Sequence, residues 1–189
     1  MARILAIYGT MYGHTEKVVR RMAQVWTARG HDVTVYHATA LPREVPLNAY
    51  DACVVAASVR YGRHQASVRD VVRGWATRLN AMPSAFVSVC GAMGGSSVEG
   101  ARRAVHYVEG FLRETGWCPS HVISVAGALV YTRYGLFTRW VMRFISKRTG
   151  RPTDTRRDYE FTDWDAVEAF AERFAAALQR EAVSLAERV

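Results

Sequence analysis

The sequence predicts an α/β fold: a three-layer sandwich in which a five-stranded parallel sheet carries helices on both faces, with a long basic insert in the region of the fifth strand. Three observations predict it. Short apolar runs alternate with amphipathic segments along the 189 residues, and such alternation builds a parallel sheet covered by crossover helices. The run Ala52 to Ala57 is apolar at every position rather than every second one, as a strand covered on both faces requires. A loop bearing glycine and threonine joins the first strand to the first helix, at the strand ends where this architecture places ligands.

The elements follow in order. Ile4 to Tyr8 is a short apolar strand ended by Gly9. Val18, Val19, Met22, Val25 and Trp26 recur near the helical period, and Gly30 stops that helix. His31 to Tyr36 is rich in β-branched residues and reads as the second strand. Ala38 to Tyr50, with Pro42 and Pro46, reads as a loop. Ala52 to Ala57 and Ala85 to Cys90 are buried strands. The helix between them, Ser67 to Leu79, sets Val68, Val71, Val72 and Trp75 on one side. Val98 to Arg113 is a helix with Val105, Val108, Phe111 and Leu112 inward, and Gly116 ends it. His121 to Ala126 is the fifth strand and Asp163 to Glu181 the last helix. Neither repeat nor low-complexity linker divides the chain, so residues 1–189 are expected to form one domain with an insert at 129–157.

Composition narrows the class. Three dispersed cysteines, Cys53, Cys90 and Cys118, argue against a disulfide framework and for a reducing compartment. The first residues read as a strand rather than a signal peptide. No run reaches the roughly 20 apolar residues of a membrane span. The chain is therefore expected in the cytoplasm. The net charge of +8 points to an anionic partner only if the charges are gathered in one place.

Thr10-Met11-Tyr12-Gly13-His14-Thr15 is the most specific motif. A helix start leaves about four N–H groups without partners and carries partial positive charge. Glycines and hydroxyls let several donors converge on one anion. The loop lacks the Gly-Lys-Ser/Thr ending that a triphosphate site needs, and it is not a Gly-x-Gly-x-x-Gly dinucleotide fingerprint. A lysine-free Thr-x-x-Gly-x-Thr loop suits one phosphate monoester held by neutral donors. The plainer alternative is a strand–turn–helix in which Thr15 is only an N-cap. Tyr8–Glu16 resembles the FMN-phosphate loop of flavodoxins, which implies FMN as cofactor. The resemblance implies two further loops around the flavin ring, Ser58-Val59-Arg60-Tyr61-Gly62 with Arg63 and His64 behind it, and Cys90-Gly91-Ala92-Met93-Gly94-Gly95. Tyr61 is a candidate for stacking on the ring. The glycines allow close backbone approach, and His14 and His64 are weaker candidates near the ring. No His, Cys or carboxylate group has metal-ligand spacing, and no metal is expected.

The segment Leu129 to Arg157 breaks the alternation. Phe137, Trp140, Val141, Phe144 and Ile145 fall on one helical face, while Arg139, Arg143 and Lys147 step by four along another. Eight arginines and lysines here face only Asp154. This pattern suits an amphipathic helix lying on an anionic membrane surface through residues 136–148. The alternative is a helix packed on the domain or on a second copy, and a homo-oligomer is a further possibility. Nucleic acid is not expected, because the aromatics cluster on the apolar face instead of forming stacking platforms.

Several stretches carry a narrower resemblance: Ala57-Ser58-Val59-Arg60-Tyr61-Gly62, Ala76 to Phe86, Ala126 to Tyr134, Thr153-Asp154-Thr155-Arg156, Tyr159 and Thr162-Asp163-Trp164. Together they resemble the menaquinone-dependent protoporphyrinogen IX dehydrogenases of bacteria over nearly the whole chain. That resemblance implies an insert between the halves of the fifth strand and peripheral attachment to the inner face of the cell membrane. It also implies oxidation of protoporphyrinogen IX to protoporphyrin IX, with electrons passed to menaquinone or ubiquinone. Arg60, Arg133, Tyr134 and Arg139 are then the substrate candidates, the arginines because a guanidinium fork matches a propionate. Rival readings are an electron-carrier flavodoxin, an NAD(P)H-fed quinone reductase and a membrane-bound module without flavin.

Overall fold

The computed structural model describes residues 1–93, 98–148 and 151–186. Strand β1 (Arg3–Gly9) leads into α1 (His14–Ala28), and β2 (Asp32–His37) follows. Residues 38–51 return along the sheet with one 3-10 turn at Leu47–Ala49, and β3 (Ala52–Arg60) begins. A two-residue strand β4 (Arg63–His64) folds back on β3. Then come α2 (Ala66–Asn80), β5 (Ser84–Cys90), α3 (Val98–Thr115) and β6 (His121–Ala126). The five long strands are parallel in the order β2-β1-β3-β5-β6, and β4 adds a short antiparallel sixth member. The sequence expectation of five parallel strands holds, and the extra strand is too short to carry a period.

Alternation along each strand separates two cores. Ile4, Ala6, Val54, Ala56, Ala85 and Val87 face one side, against α1 and α5 (Trp164–Ala186). Leu5, Ile7, Cys53, Val55, Ala57 and Phe86 face the other, against α2, α3 and the 38–51 segment. The burial line of α3 runs Gly100, Ala104, Val108, Phe111 and Thr115. Val105 lies one position off that line and is exposed, contrary to its expected inward placement.

After β6 the chain leaves the sheet. Strand β7 (Ala128–Leu129) pairs antiparallel with β8 (Tyr159–Glu160), closing a two-stranded sheet of its own. The returning segment is therefore not a second half of the fifth strand in the main sheet, as the family resemblance implied. Between β7 and β8 lie a 3-10 turn at Tyr131–Arg133 and helix α4 (Leu136–Arg148). The insert has a small core in Leu129, Tyr131 and Tyr134. Tyr131 is fully buried; its hydroxyl donates to the Pro152 carbonyl at 3.0 Å and lies 2.7 Å from Ser146 Oγ. No helix among the described residues is long and apolar enough to cross a membrane.

Candidate functional site

The chain runs from β1 outward to β2 and, through β3, to the opposite edge, so the sheet has its switch point between β1 and β3. Loops leaving the carboxyl ends of β1, β3 and β5 converge there. Gly9 and Gly13 shape the first of them. A Cβ on Gly9 would lie 2.1 Å from Gln65 Oε1 and 2.4 Å from Val68 Cγ2, so only glycine lets β1 pass α2. Gly13 has φ 87°, the left-handed conformation that turns the chain into α1.

The start of α1 is open. No side chain caps it. The alternative of Thr15 as a simple N-cap is excluded, because Thr15 lies inside the first turn. Its side chain is fully buried, and its Oγ1 has no hydrogen-bond partner. A buried hydroxyl left unsatisfied costs roughly 1–3 kcal/mol, so native structures rarely leave one without reason. Thr10 Oγ1 accepts from the Gly13 N–H at 3.0 Å, which fixes the loop and leaves the Thr10 proton free to donate outward. The donors present are neutral hydroxyls and first-turn N–H groups, the set a phosphate monoester takes.

Ser58, Val59 and Arg60, expected in a loop, extend β3 instead. The turn is Tyr61-Gly62, with φ 50° and 77°, between the paired residues Arg60 and Arg63. Two successive positive φ values are the signature of a tight hairpin, and Tyr61 is an unusual occupant of the first. Tyr61 stands out at the tip, 86% exposed. The Arg60 guanidinium lies over its ring, 4.7 Å from the centroid, with Nη2 donating to the Tyr61 hydroxyl at 3.1 Å. Arg60 Nη1 also meets Met11 Sδ. The hairpin and the phosphate-type loop are thereby joined. Cys90 ends β5 and is buried, and Gly91–Met93 form a 3-10 turn beyond it. Gly94 and Gly95 lie outside the described residues.

His64 is held away from this mouth, whereas His14 lines a hollow beside Tyr12, Gly13 and Arg133 with one ring nitrogen engaged. His14 Nε2 lies 2.7 Å from Thr162 Oγ1, which donates to the Ala126 carbonyl at 2.7 Å. The Thr162 oxygen must therefore accept, which assigns the proton to His14 Nε2. Burial lowers the His14 pKa against the pull of Glu160. His64 is in the core, 2.9 Å from Ser88 Oγ and edge-on to Phe86 and Phe111, and burial pushes its pKa down to about 4.

The substrate candidates fare differently. Arg139 turns inward, its Nε donating to the Tyr131 carbonyl at 3.0 Å and Nη2 to that of Tyr134 at 3.3 Å. It braces the insert instead of projecting from it. Tyr134 is buried, with its hydroxyl accepting from the Val130 N–H at 3.3 Å and its ring edge-on to Tyr12. Arg133 reaches the loop after β1, donating to the Tyr12 carbonyl at 2.8 Å. Thr162 stood in a stretch that carried the family resemblance, but neither its contact with His14 nor that of Arg133 with Tyr12 was legible, since the partners are more than a hundred positions apart.

An uncapped helix start at the switch point of a doubly wound parallel sheet is the arrangement of a flavodoxin-type protein. The Flavodoxin domain family matches residues 5–156. A relative from Escherichia coli K12 named protoporphyrinogen IX dehydrogenase (quinone) is 32% identical over 173 residues, spanning 92% of this chain and 94% of the relative. A Leishmania major relative of the same name is 35% identical over 178 residues, 92% of this chain and 75% of its own. Among solved structures, the flavodoxin of Streptococcus pneumoniae superposes with a TM-score of 0.57 at 15% identity, over 95% of this chain and 99% of its own. Bacillus cereus flavodoxin 1 gives 0.56 at 17%, over 93% and 98%. These last two speak to the fold alone. The chain belongs to the flavodoxin-domain family and, within it, to the protoporphyrinogen IX dehydrogenase (quinone) family of oxidoreductases.

Proposed function

We propose that the protein binds FMN and oxidises protoporphyrinogen IX to protoporphyrin IX, passing the electrons to a respiratory quinone, menaquinone or ubiquinone. The observation that carries the cofactor assignment is the unpartnered, fully buried Thr15 hydroxyl at an uncapped helix start. The relatives' shared name supports the substrate and the acceptor. FMN, when bound, supplies two-electron redox chemistry. The overall balance is one protoporphyrinogen IX and three quinones giving one protoporphyrin IX and three quinols, six electrons and six protons in all.

The protein's own residues do the holding. Thr10, Thr15 and the first-turn N–H groups of α1 take the phosphate. Tyr61 and the Gly91–Met93 turn flank the place for the ring. Arg60 and Arg133 stand at this mouth, the former over Tyr61 and the latter on the Tyr12 carbonyl. Both candidate histidines are occupied, so the protons leave to water or acceptor instead of through either ring.

Helix α4 supports the membrane side of the reading. Leu136, Phe137, Trp140, Phe144 and Ile145 are exposed, so the apolar face is not packed on the domain. Trp140 and Phe144 stack with centroids 6.3 Å apart, and the Arg148 guanidinium lies over Phe144. An exposed aromatic face rimmed by cations suits an anionic lipid interface. The test is anaerobic mixing of FMN-reconstituted protein with protoporphyrinogen IX and a menaquinone analogue in anionic vesicles. Porphyrin fluorescence should rise with three quinols formed per porphyrin. No porphyrin, or quinone reduction only when NADPH is added, overturns the reading.

A further inference from the structure

The β3–β4 hairpin sets two arginines directly opposite each other: Arg60 and Arg63 are cross-strand partners on either side of the Tyr61-Gly62 turn. Like charges at such positions destabilise a hairpin. No carboxylate of the protein relieves them among the described residues. Arg60 meets Met11 and Tyr61 only, and Arg63, exposed, has neither hydrogen bond nor ion pair. The Arg60 guanidinium is turned onto Tyr61 and Met11, which leaves Arg63 as the cation of the hairpin open to an anion from outside.

Beneath Arg63 lies a place for one. A cleft of about 260 Å³ opens between the hairpin and α3, bounded by Arg63, His106 and Tyr107, with Phe111 and His64 among its lining. Gly62 seats the turn on Tyr107, whose Cε1 would be 3.7 Å from a Cβ at that position. The charges around the cleft do not cancel. Glu114 is its carboxylate, and it is already answered by Arg69 at 3.4 Å and Arg73 at 3.3 Å. His64 adds no charge, being buried against Ser88 with its pKa pushed down to about 4. Arg63 is therefore left as an unanswered cation over a half-apolar hollow, with the His106 imidazole alongside.

We propose that this cleft is a carboxylate subsite: Arg63, with His106 beside it, receives one acidic arm of the tetrapyrrole substrate next to the redox site. The inference rests on the substrate class given under Proposed function. A guanidinium fork fits a carboxylate in two parallel hydrogen bonds, which a hydrated lysine does not reproduce. The cleft is sized for a short acid chain and not for a macrocycle, so the ring system stays outside it. Arg60, across the hairpin, is placed at the flavin side of the same element.

The experiment titrates the FMN-loaded protein with protoporphyrin IX and with its dimethyl ester, following porphyrin fluorescence and absorbance. The unmodified protein should bind the diacid at least about tenfold more tightly than the diester, the scale of one charge-assisted hydrogen-bonded pair. Arg63→Gln should lower diacid affinity to that of the diester, and Arg63→Lys should restore only part of it. His106→Gln should have a smaller effect in the same direction. FMN affinity and melting temperature should not move in these variants, and Arg78→Gln on the far end of α2 should behave as the unmodified protein. In turnover, Arg63→Gln should raise KM with kcat retained. An Arg63→Gln protein that keeps the full diacid preference, or an unmodified protein that binds both forms equally, overturns the subsite. Arg63-dependent diacid binding without porphyrinogen oxidation would leave the subsite standing and remove the proposed reaction. Oxidation that is indifferent to Arg63 would do the reverse.

Discussion

Arg133 Nη1 donates to the carbonyl oxygen of Tyr12 at 2.8 Å, so the insert is fastened to the phosphate-type loop 121 residues earlier in the chain. The same guanidinium lies 3.2 Å from where a Gly13 Cβ would be. Lys17 adds a second tie, to Glu160 at 2.7 Å. Arg133→Met should therefore loosen the loop and lower FMN affinity about tenfold, the scale of one charge-assisted hydrogen bond. Flavin fluorescence titration reads this directly. Unchanged affinity would mean that the contact is incidental.

Thr15→Val separates the stability of the empty protein from its affinity for the cofactor. The substitution removes a buried hydroxyl that has no partner and keeps its shape. The apo protein should melt a few degrees higher, since an unsatisfied hydroxyl costs roughly 1–3 kcal/mol and each kcal/mol moves Tm by about 2–4 °C at this size. FMN should bind about tenfold more weakly, while riboflavin, lacking the phosphate, binds as before. Equal losses for both flavins would place the phosphate elsewhere.

The strands of the main sheet were legible because Ile4 to Tyr8 of β1 and Ala52 to Ala57 of β3 are uninterrupted apolar runs, Ala85 to Cys90 of β5 is broken only by Ser88, and β2 and β6 are rich in β-branched residues, and β6 begins and ends where the pattern says. The hairpin was not. Ser58, Val59 and Arg60 read as a loop because their polarity rises, yet pairing of Ser58 with Val89 and of Val59 and Arg60 with His64 and Arg63 keeps them extended. The turn needs positive φ at two positions, and only Gly62 announces that chemistry; Tyr61 hides it. His64 misled for a related reason. A histidine beside a binding loop suggests proton transfer, whereas here Phe86 and Phe111 take it as an aromatic. Helix α4 was legible as amphipathic, but periodicity does not say that its apolar face stays uncovered or that Arg139 bends back to two carbonyls.

His64 sets an acid limit on stability. Its ordinary pKa is near 6.5 and falls to about 4 in the fold. The unfolded chain thus binds a proton in a range where the folded chain does not. Stability is complete above about pH 6.5 and declines as pH falls toward 4, by roughly 3 kcal/mol over the interval. His14, also lowered by burial, acts in the same direction. Urea denaturation at pH 7, 6, 5 and 4.5 should show this slope. His64→Gln, which can still reach Ser88 Oγ but does not titrate, should flatten most of it. An equal slope in that variant would assign the acid sensitivity elsewhere.

Helix α4 should be removable from lipid without harm to the fold. Trp140 and Phe137 are 67% and 79% exposed, so Phe137→Glu with Trp140→Glu removes only the surface stack of Trp140 on Phe144 and nothing from the core. Melting temperature and FMN affinity should hold. Sedimentation with anionic vesicles should fall at least about tenfold, from lost apolar insertion together with charge repulsion. Retained vesicle binding would direct attention to another surface.

The antiparallel pairing of β7 with β8 has an architectural consequence. Ala128 faces Glu160, Leu129 faces Tyr159, and the Phe161 N–H donates to the Gly127 carbonyl at 3.3 Å. The excursion therefore leaves and rejoins the parent scaffold at nearly the same point in space. Its length is invisible to every strand of the main sheet. Such a side-loop is a topologically neutral graft: a two-residue bridge from Gly127 to Phe161 could replace it with no strand displaced. The parent sheet and the appendage are thus two parts joined at one zippered seam, and the one can change in length without the other.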